Sequence, residues 1–294
     1  MKGLIFGVSG KILTQDEATL IESQKPHGII LFSRNCESND QITALNNHIK
    51  SLSPNTKIFI DQEGGRVQRI KPPVGSKHYH NMEYFGNMYD DNSAVAIKFV
   101  EQNFYELMSE LMALKIDVTC APVSDIRFKG AHDVIGDRSF GDNVGKIVDL
   151  CEAALSGIRK AGGEGVIKHI PGHGRSTLDS HKALPIVEAS LEELELTDFA
   201  VFKALSASCH YSMTAHVIYN ALDPSNPATT SENVIKYIRE KIGFSGMIMT
   251  DAIEMKALSG NIAERASSSW NAGCDIVLHC TGKIDEVKDI VRSL

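Results

Sequence analysis

Short apolar runs punctuate the chain, each closed by turn residues. They read GLIFGV (3–8), GIILF (28–32), KIFID (57–61), DVTCAPV (117–123), GVIKHI (165–170), YSMTAHV (211–217), GMIMTD (246–251) and DIVLHC (275–280). A strand buried on both faces has no polar side to show, so it reads as a continuous run rather than an alternation. Longer stretches with apolar positions near helical spacing lie between the runs, over 92–115, 142–161, 190–208, 231–242 and 262–272, with shorter ones over 14–24, 39–51 and 283–293. Ser190 with Glu193 three residues on, and Ser231 heading SENVIKYI, supply helix-start signals. Strand and helix alternating in this way predict a parallel sheet with right-handed crossovers. Eight such units predict a (β/α)8 TIM-type barrel, one domain over 1–294, with a doubly wound open sheet as the alternative. No GxGxxG follows the first strand, so no dinucleotide fingerprint supports that alternative. The long connection over 62–91 is expected to fold across the barrel mouth.

Composition narrows the class. With 43% hydrophobic and 23% charged residues the chain is an ordinary globular one. A net charge of −7 without a Lys/Arg-rich run argues against nucleic acid or an anionic membrane as partner. No run of eighteen apolar residues is present, and MKGLIFGVSG is too short in its apolar part for a secretory segment. The six cysteines form no CxxC pair, so neither a zinc framework nor a disulfide scaffold is expected. The expectation is a cytoplasmic, reduced, monomeric protein.

In a (β/α)8 barrel the chemistry sits at the C-terminal ends of the strands. Polar groups collect there in this sequence. The third run leads into Asp61, Glu63, Arg66 and Arg69, and the fourth into Asp125, Asp137 and Arg138. The fifth ends in Lys168 and His169, the sixth in His216, the seventh in Asp251 and Glu254, and the eighth near His279. Charges beside apolar runs are costly if buried at random, so the repetition points to a site at the barrel mouth. Asp125 reads equally well as a helix cap, and Asp137 as a brace for its neighbours.

The segment KHIPGHGRSTLDSH (168–181) holds three of the chain's 11 histidines. Pro171, Gly172 and Gly174 exclude a regular element, so the i, i+4 spacing of His169 and His173 loses its helical meaning. Lys168 would also repel a cation, so no metal and no cofactor is expected, although a metal-dependent hydrolase using His169, His173 and Asp251 stays a rival. Asp179 two residues before His181 suits a carboxylate orienting an imidazole for acid–base work. Asp251, carried directly on a strand, could attack an anomeric carbon. Arg69, Arg138 and Lys168 could clamp hydroxyls or carbonyls, and Asp61 could accept hydrogen bonds from a sugar.

Four motifs, IDQEGGRVQR (60–69), GDRSFG (136–141), KHIPGHGRSTLDSH (168–181) and MTDAIEM (249–255), resemble the β-N-acetylhexosaminidases of glycoside hydrolase family 3. They run in the family's order over nearly the whole chain, closest to the single-domain bacterial enzymes of cell-wall recycling. The resemblance implies a (β/α)8 barrel and a retaining mechanism. Asp251 would be the nucleophile and His181, assisted by Asp179, the general acid/base. Asp61, Arg69, Arg138, Lys168 and His169 would bind the terminal N-acetylglucosamine. The implied substrate is N-acetylglucosamine linked to 1,6-anhydro-N-acetylmuramic acid, with or without peptide. His173 would shape the loop or touch substrate. A histidine acid/base would also let phosphate approach as acceptor, so phosphorolysis stays open beside hydrolysis.

Overall fold

The computed structural model describes residues 2–176, 180 and 183–293. Eight parallel strands close into a barrel in strict sequence order: β1 Gly3–Gly7, β2 Gly28–Leu31, β3 Lys57–Ile60, β4 Val118–Thr119, β5 Glu164–Ile170, β6 Tyr211–Thr214, β7 Met247–Ala252 and β8 Ile276–His279. β8 returns to β1 with Leu4 opposite Val277, so the sheet has no edge. The doubly wound alternative is excluded by that closure. Around the barrel run α1 Gln15–Gln24, α2 Asn39–Leu52, α3 Met82–Asp91, α4 Ser93–Ala113, α5 Val144–Lys160, α6 Leu191–Leu196, α7 Asp198–Leu205, α8 Glu232–Tyr237, α9 Ile262–Ala272 and α10 Ile284–Arg292. Among the described residues, no helix is long and apolar enough to cross a membrane.

Each run sits where the pattern puts it, with three departures. The fourth strand shrinks to two residues because Pro122 cannot donate to the ladder, and pairing resumes only at a lone bridge between Val123 and Lys168. The stretch 190–208 breaks at Thr197, whose φ of −126° and ψ of −95° are not helical, giving α6 and α7. The connection after β3 is more ordered than a loop: Gln62–Gly64 and Val67–Gln68 pair as a hairpin, and α3 follows. Gly64 makes the hairpin possible, since at φ +101° a Cβ would fall 2.2 Å from the His80 carbonyl. The caps at Ser190 and Ser231 form as expected, accepting from the N–H groups of Glu193 and Val234.

Two apolar layers result from strand alternation. Leu4, Phe6, Ile29, Leu31, Ile58, Ile60 and Val277 point outward and pack with Ile21, Ile42, Leu45, Ile49 and Leu150 of the helices. Ile5, Ile30, Phe59, Val166, Met249, Ile276 and Leu278 point inward and fill the barrel. Two residues beyond Phe59, Val166 and Met249 come Asp61, Lys168 and Asp251. The same period that buries the apolar layer therefore turns these three toward the axis at the mouth.

Candidate active site

At the C-terminal end of the barrel lies a cavity of about 350 Å³. Asp61, Glu63, Arg69, Arg138, Lys168, His169, Asp251 and Glu254 line it, with Phe32, Met213, Met255 and Cys280 as apolar wall. The arrangement brings together residues from β5, β6, β7 and β8, and from the connections after β2, β3, β4, β7 and β8. A wider cleft of about 490 Å³ lies outside the rim, between α3 and the 127–142 connection, and takes none of Asp61, Lys168 or Asp251.

One wall is a relay of buried ion pairs. Lys168 Nζ is 2.5 Å from Glu63 Oε1 and 3.1 Å from Asp61 Oδ1, while Arg69 Nη2 is 3.0 Å from Asp61 Oδ2. Arg138 grips Glu63 in bidentate fashion, Nε and Nη2 each donating over 2.8 Å. Lys168 and Glu63 are both only 2% exposed. Burial alone would push the Glu63 carboxyl up, but Arg138 and Lys168 outweigh it and hold it at about 2. Asp61 is likewise held well below the carboxylate range, Lys168 and then Arg69 outweighing burial. Burial lowers the Lys168 ammonium, and Glu63 and Asp61 more than restore it. The wall is thus charged and fixed in geometry, with Lys168 and Glu63 buried and Asp61 and Arg69 partly exposed, and with carboxylate oxygens and cationic N–H groups at its surface. Such a wall suits several hydroxyl groups of one ring.

Opposite stands Asp251 at the end of β7. Its Oδ1 accepts the N–H of Ala252 at 2.7 Å. Burial raises its pKa, yet His216 and His169 bring it below the usual value. His216 braces the same strand end, with Nε2 at 3.0 Å from the Ala252 carbonyl and Nδ1 at 2.6 Å from Thr229 Oγ1. Asp251 is therefore an ionised carboxylate on a rigid element, as a nucleophile requires. Glu254, one turn further, is shifted the other way: burial raises its pKa. Its Oε1 accepts the Cys280 N–H at 3.0 Å. Arg69 Nε and Glu254 Oε2 are buried and find no protein partner among the described residues, so the cavity keeps hydrogen-bonding capacity for a guest.

The remaining sequence candidates divide. Asp179 and His181 lie outside the described residues. His169 lines the cavity and its Nδ1 is 2.7 Å from Asp125 Oδ2. His173 is buried but does not line the cavity. Its Nε2 meets Ser180 Oγ at 3.0 Å, and burial, then His169, pulls its pKa down to about 4. Arg175 anchors the segment sideways, to Asp198 at 2.7 Å, Glu193 at 2.6 Å and Thr197 at 3.0 Å, with its guanidinium 3.9 Å from the Phe128 ring centroid. Gly174 lets the chain pass close to Ile126, where a Cβ would fall 1.6 Å from the carbonyl oxygen. Asp137 is the brace expected, bonding Arg66 and Asn81 at 2.9 Å each. His279 turns away from the site and meets Glu286 at 2.9 Å.

Asp125 requires a correction, because it caps no helix. No helix begins there, and the carboxylate instead accepts from His169 and His173. Glu63 was visible in the sequence at the strand end but carried no assigned role. Its signal is its place two residues after Asp61, in the one connection that also carries Arg69. The apolar wall had no signal beyond lying in or beside the strand runs.

A barrel of this shape is matched among known proteins. Residues 6–294 match the family model described as the glycosyl hydrolase family 3 N terminal domain. A beta-hexosaminidase of Methylobacillus flagellatus is 36% identical over 291 residues, which is 97% of this chain and 82% of that protein. The crystal structure of NagZ from Neisseria gonorrhoeae in complex with N-trifluoroacetyl-D-glucosamine superposes with a TM-score of 0.91. It is 37% identical, over 98% of this chain and 85% of that one. A glycoside hydrolase family 3 beta-N-acetylglucosaminidase from Paenibacillus sp. FPU-7 superposes with a TM-score of 0.92 at 32% identity. This chain, covered over 99% of its length, spans 56% of that longer one. Fold and relatives together define a glycoside hydrolase on a (β/α)8 barrel. The chain belongs to glycosyl hydrolase family 3, in the company of proteins named beta-hexosaminidase.

Proposed function

We propose that this protein is a retaining exo-β-N-acetylglucosaminidase that removes terminal N-acetylglucosamine from muropeptides, with or without the stem peptide, in peptidoglycan recycling. The observation that carries the reading is Asp251: an ionised carboxylate on β7, facing a wall of fixed charge across a cavity of about 350 Å³. The Asp251 carboxylate attacks the anomeric carbon from one face of the ring. The bond to the leaving oxygen breaks and a covalent glycosyl-Asp251 ester forms. His181, oriented by Asp179, gives its proton to the leaving oxygen and then takes one from water, which attacks the same carbon and frees Asp251. Asp61, Arg69, Arg138, Lys168 and His169 hold the terminal sugar.

Asp61 and Glu63 are held ionised in the ion-pair wall and carry no proton to give, which is compatible with a histidine acid/base. Glu254, raised by burial, is the cavity's other proton donor, and Glu254→Gln separates the two roles. The compound named with the Neisseria NagZ structure, N-trifluoroacetyl-D-glucosamine, is an N-acylated glucosamine, which supports this substrate class. In this reading the barrel itself carries the catalysis, acting as a monomer without metal or cofactor. Six cysteines free of disulfides suit a cytoplasmic setting.

The test is turnover of p-nitrophenyl N-acetyl-β-D-glucosaminide in EDTA, with and without phosphate, by wild type, Asp251→Ala and His181→Ala. EDTA-resistant release abolished by Asp251→Ala is expected, and wild type incubated separately with a 2-deoxy-2-fluoro-β-glucosyl fluoride should lose fluoride and carry the 2-fluoro-sugar on the Asp251 peptide in mass spectrometry. Free sugar as product identifies hydrolysis, and sugar phosphate identifies phosphorolysis. An active Asp251→Ala enzyme rules the mechanism out.

A further inference from the structure

Asp125 is a buried carboxylate that takes four hydrogen bonds without lining the cavity. It is 0% exposed. Its Oδ2 lies 2.7 Å from His169 Nδ1. The main-chain N–H of His169 donates to both oxygens, at 3.1 and 3.2 Å, and the main-chain N–H of His173 donates to Oδ1 at 2.7 Å. Two consequences follow from donor and acceptor chemistry alone. An ionised carboxylate only accepts, so the His169 nitrogen facing it carries the proton. The carboxylate is ionised: burial would raise it, but His169 outweighs that and lowers it. The same group also ties the end of β5 to the start of the segment leading to Asp179 and His181.

We propose that Asp125 is a positioning residue that sets the sugar grip and the root of the acid/base segment from one buried point. It holds the His169 ring with Nδ1 protonated, so that Nε2, on the opposite edge, is the nitrogen offered to the cavity. It holds His173 so that the chain leaves β5 along a fixed path past Ile126, with Gly174 allowing the close approach. Glu63 does the corresponding service for Arg138 and Lys168 across the cavity. The inference rests on the glycosidase reading above, for which His169 and the acid/base segment matter.

Asp125→Asn is the informative variant because it keeps the shape and removes one acceptor. With the amide oxygen at the Oδ1 place, the NH₂ faces His169 Nδ1, which must then give up its proton and move it to Nε2. With the oxygen at the Oδ2 place, the NH₂ faces the His173 N–H and releases the root of the segment. Either way kcat/KM for p-nitrophenyl N-acetyl-β-D-glucosaminide is expected to fall on the order of 10²-fold, as misplacement of catalytic groups does. The ring state is read separately by long-range ¹H–¹⁵N NMR, with His169→Asn assigning the signal. In wild type the expected proton is on Nδ1. A wild-type ring protonated at Nε2 alone overturns the proposal, and needs no variant to fold. A folded Asp125→Asn enzyme, melting as wild type does, with unchanged kcat/KM overturns it too. Failure of the glycosidase reading looks different: wild type then shows no turnover, or Asp251→Ala stays active, while the ring signal still reports on Asp125.

Discussion

The two ends of the barrel carry similar residues in opposite circumstances. At the N-terminal end, Lys57 pairs with Glu164, Lys50 with Asp117 and Arg239 with Asp275, all with side chains between 27% and 35% exposed. Asp117 and Asp275 also accept the N–H of Ile58 and Ile248 from the neighbouring strands, each at 2.7 Å. Between them the axis is plugged by His27, Phe59 and Tyr211, with His27 Nε2 2.9 Å from the Tyr211 hydroxyl. At the C-terminal end, Lys168, Glu63 and Asp125 are at most 2% exposed and the axis is open as a cavity. Water screens the first set, which can only brace strand starts. The second set is buried and screened far less, so those charges hold one another in place and shift the acids beside them. The difference in hydration, more than in residue type, separates a stabilising end from a reactive one.

Substitutions can break that comparison, in descending order of effect. Asp251→Ala should cost at least about 10⁴-fold in kcat while leaving the melting temperature near wild type, since it removes a reacting group and no structural partner beyond one N–H. Steady-state kinetics with a melting curve on the same sample check it. Glu63→Gln should act on both quantities. It strands Lys168 and Arg138 in a buried wall, and breaking a buried pair from one side costs about 3–5 kcal/mol. A denaturant titration that shows no loss would mean the wall is wetter than its burial implies.

The pH dependence sharpens the same point. Glu63 falls from an ordinary 4.5 to about 2 in the folded protein. A depressed folded pKa contributes stability that is complete above 4.5 and is lost as pH falls toward 2. Unfolding free energy should therefore decline through that window, and less steeply in Glu63→Gln. Asp251, also depressed, should place the acidic limb of kcat/KM below the usual aspartate value. Glu254→Gln tests the raised carboxyl beside it: with His181 as acid/base, the basic limb should stay where it is. At the other end of the barrel, Lys57→Met should change stability by no more than about 1 kcal/mol and kcat not at all. A large kinetic effect there would remove the distinction between the two ends.

Much of this was legible along the chain, for reasons that differ by residue. The barrel could be read because buried parallel strands are local signals: GIILF and GMIMTD need only their own composition. Asp61, Lys168 and Asp251 could be placed because a period of two carries the inward face of an apolar strand directly to them. Asp125 could not, since a carboxylate after a strand caps a helix as readily as it grips an imidazole. Which of these it does depends on His169 and His173, 44 and 48 positions away. The break at Thr197 was equally hidden, because 190–208 keeps its apolar spacing through it.

The amino-acid sequence by itself determined the order of strands and helices, the inward layer, and the kinds of group gathered at the strand ends. Those depend on neighbours a few positions apart, through side-chain alternation and backbone preference. Only the tertiary structure decided which cation meets which carboxylate, that Glu63 serves two of them, and that Asp125 faces inward rather than capping. Those outcomes depend on distance and dehydration across the closed barrel, and neither is a property of any short stretch of chain.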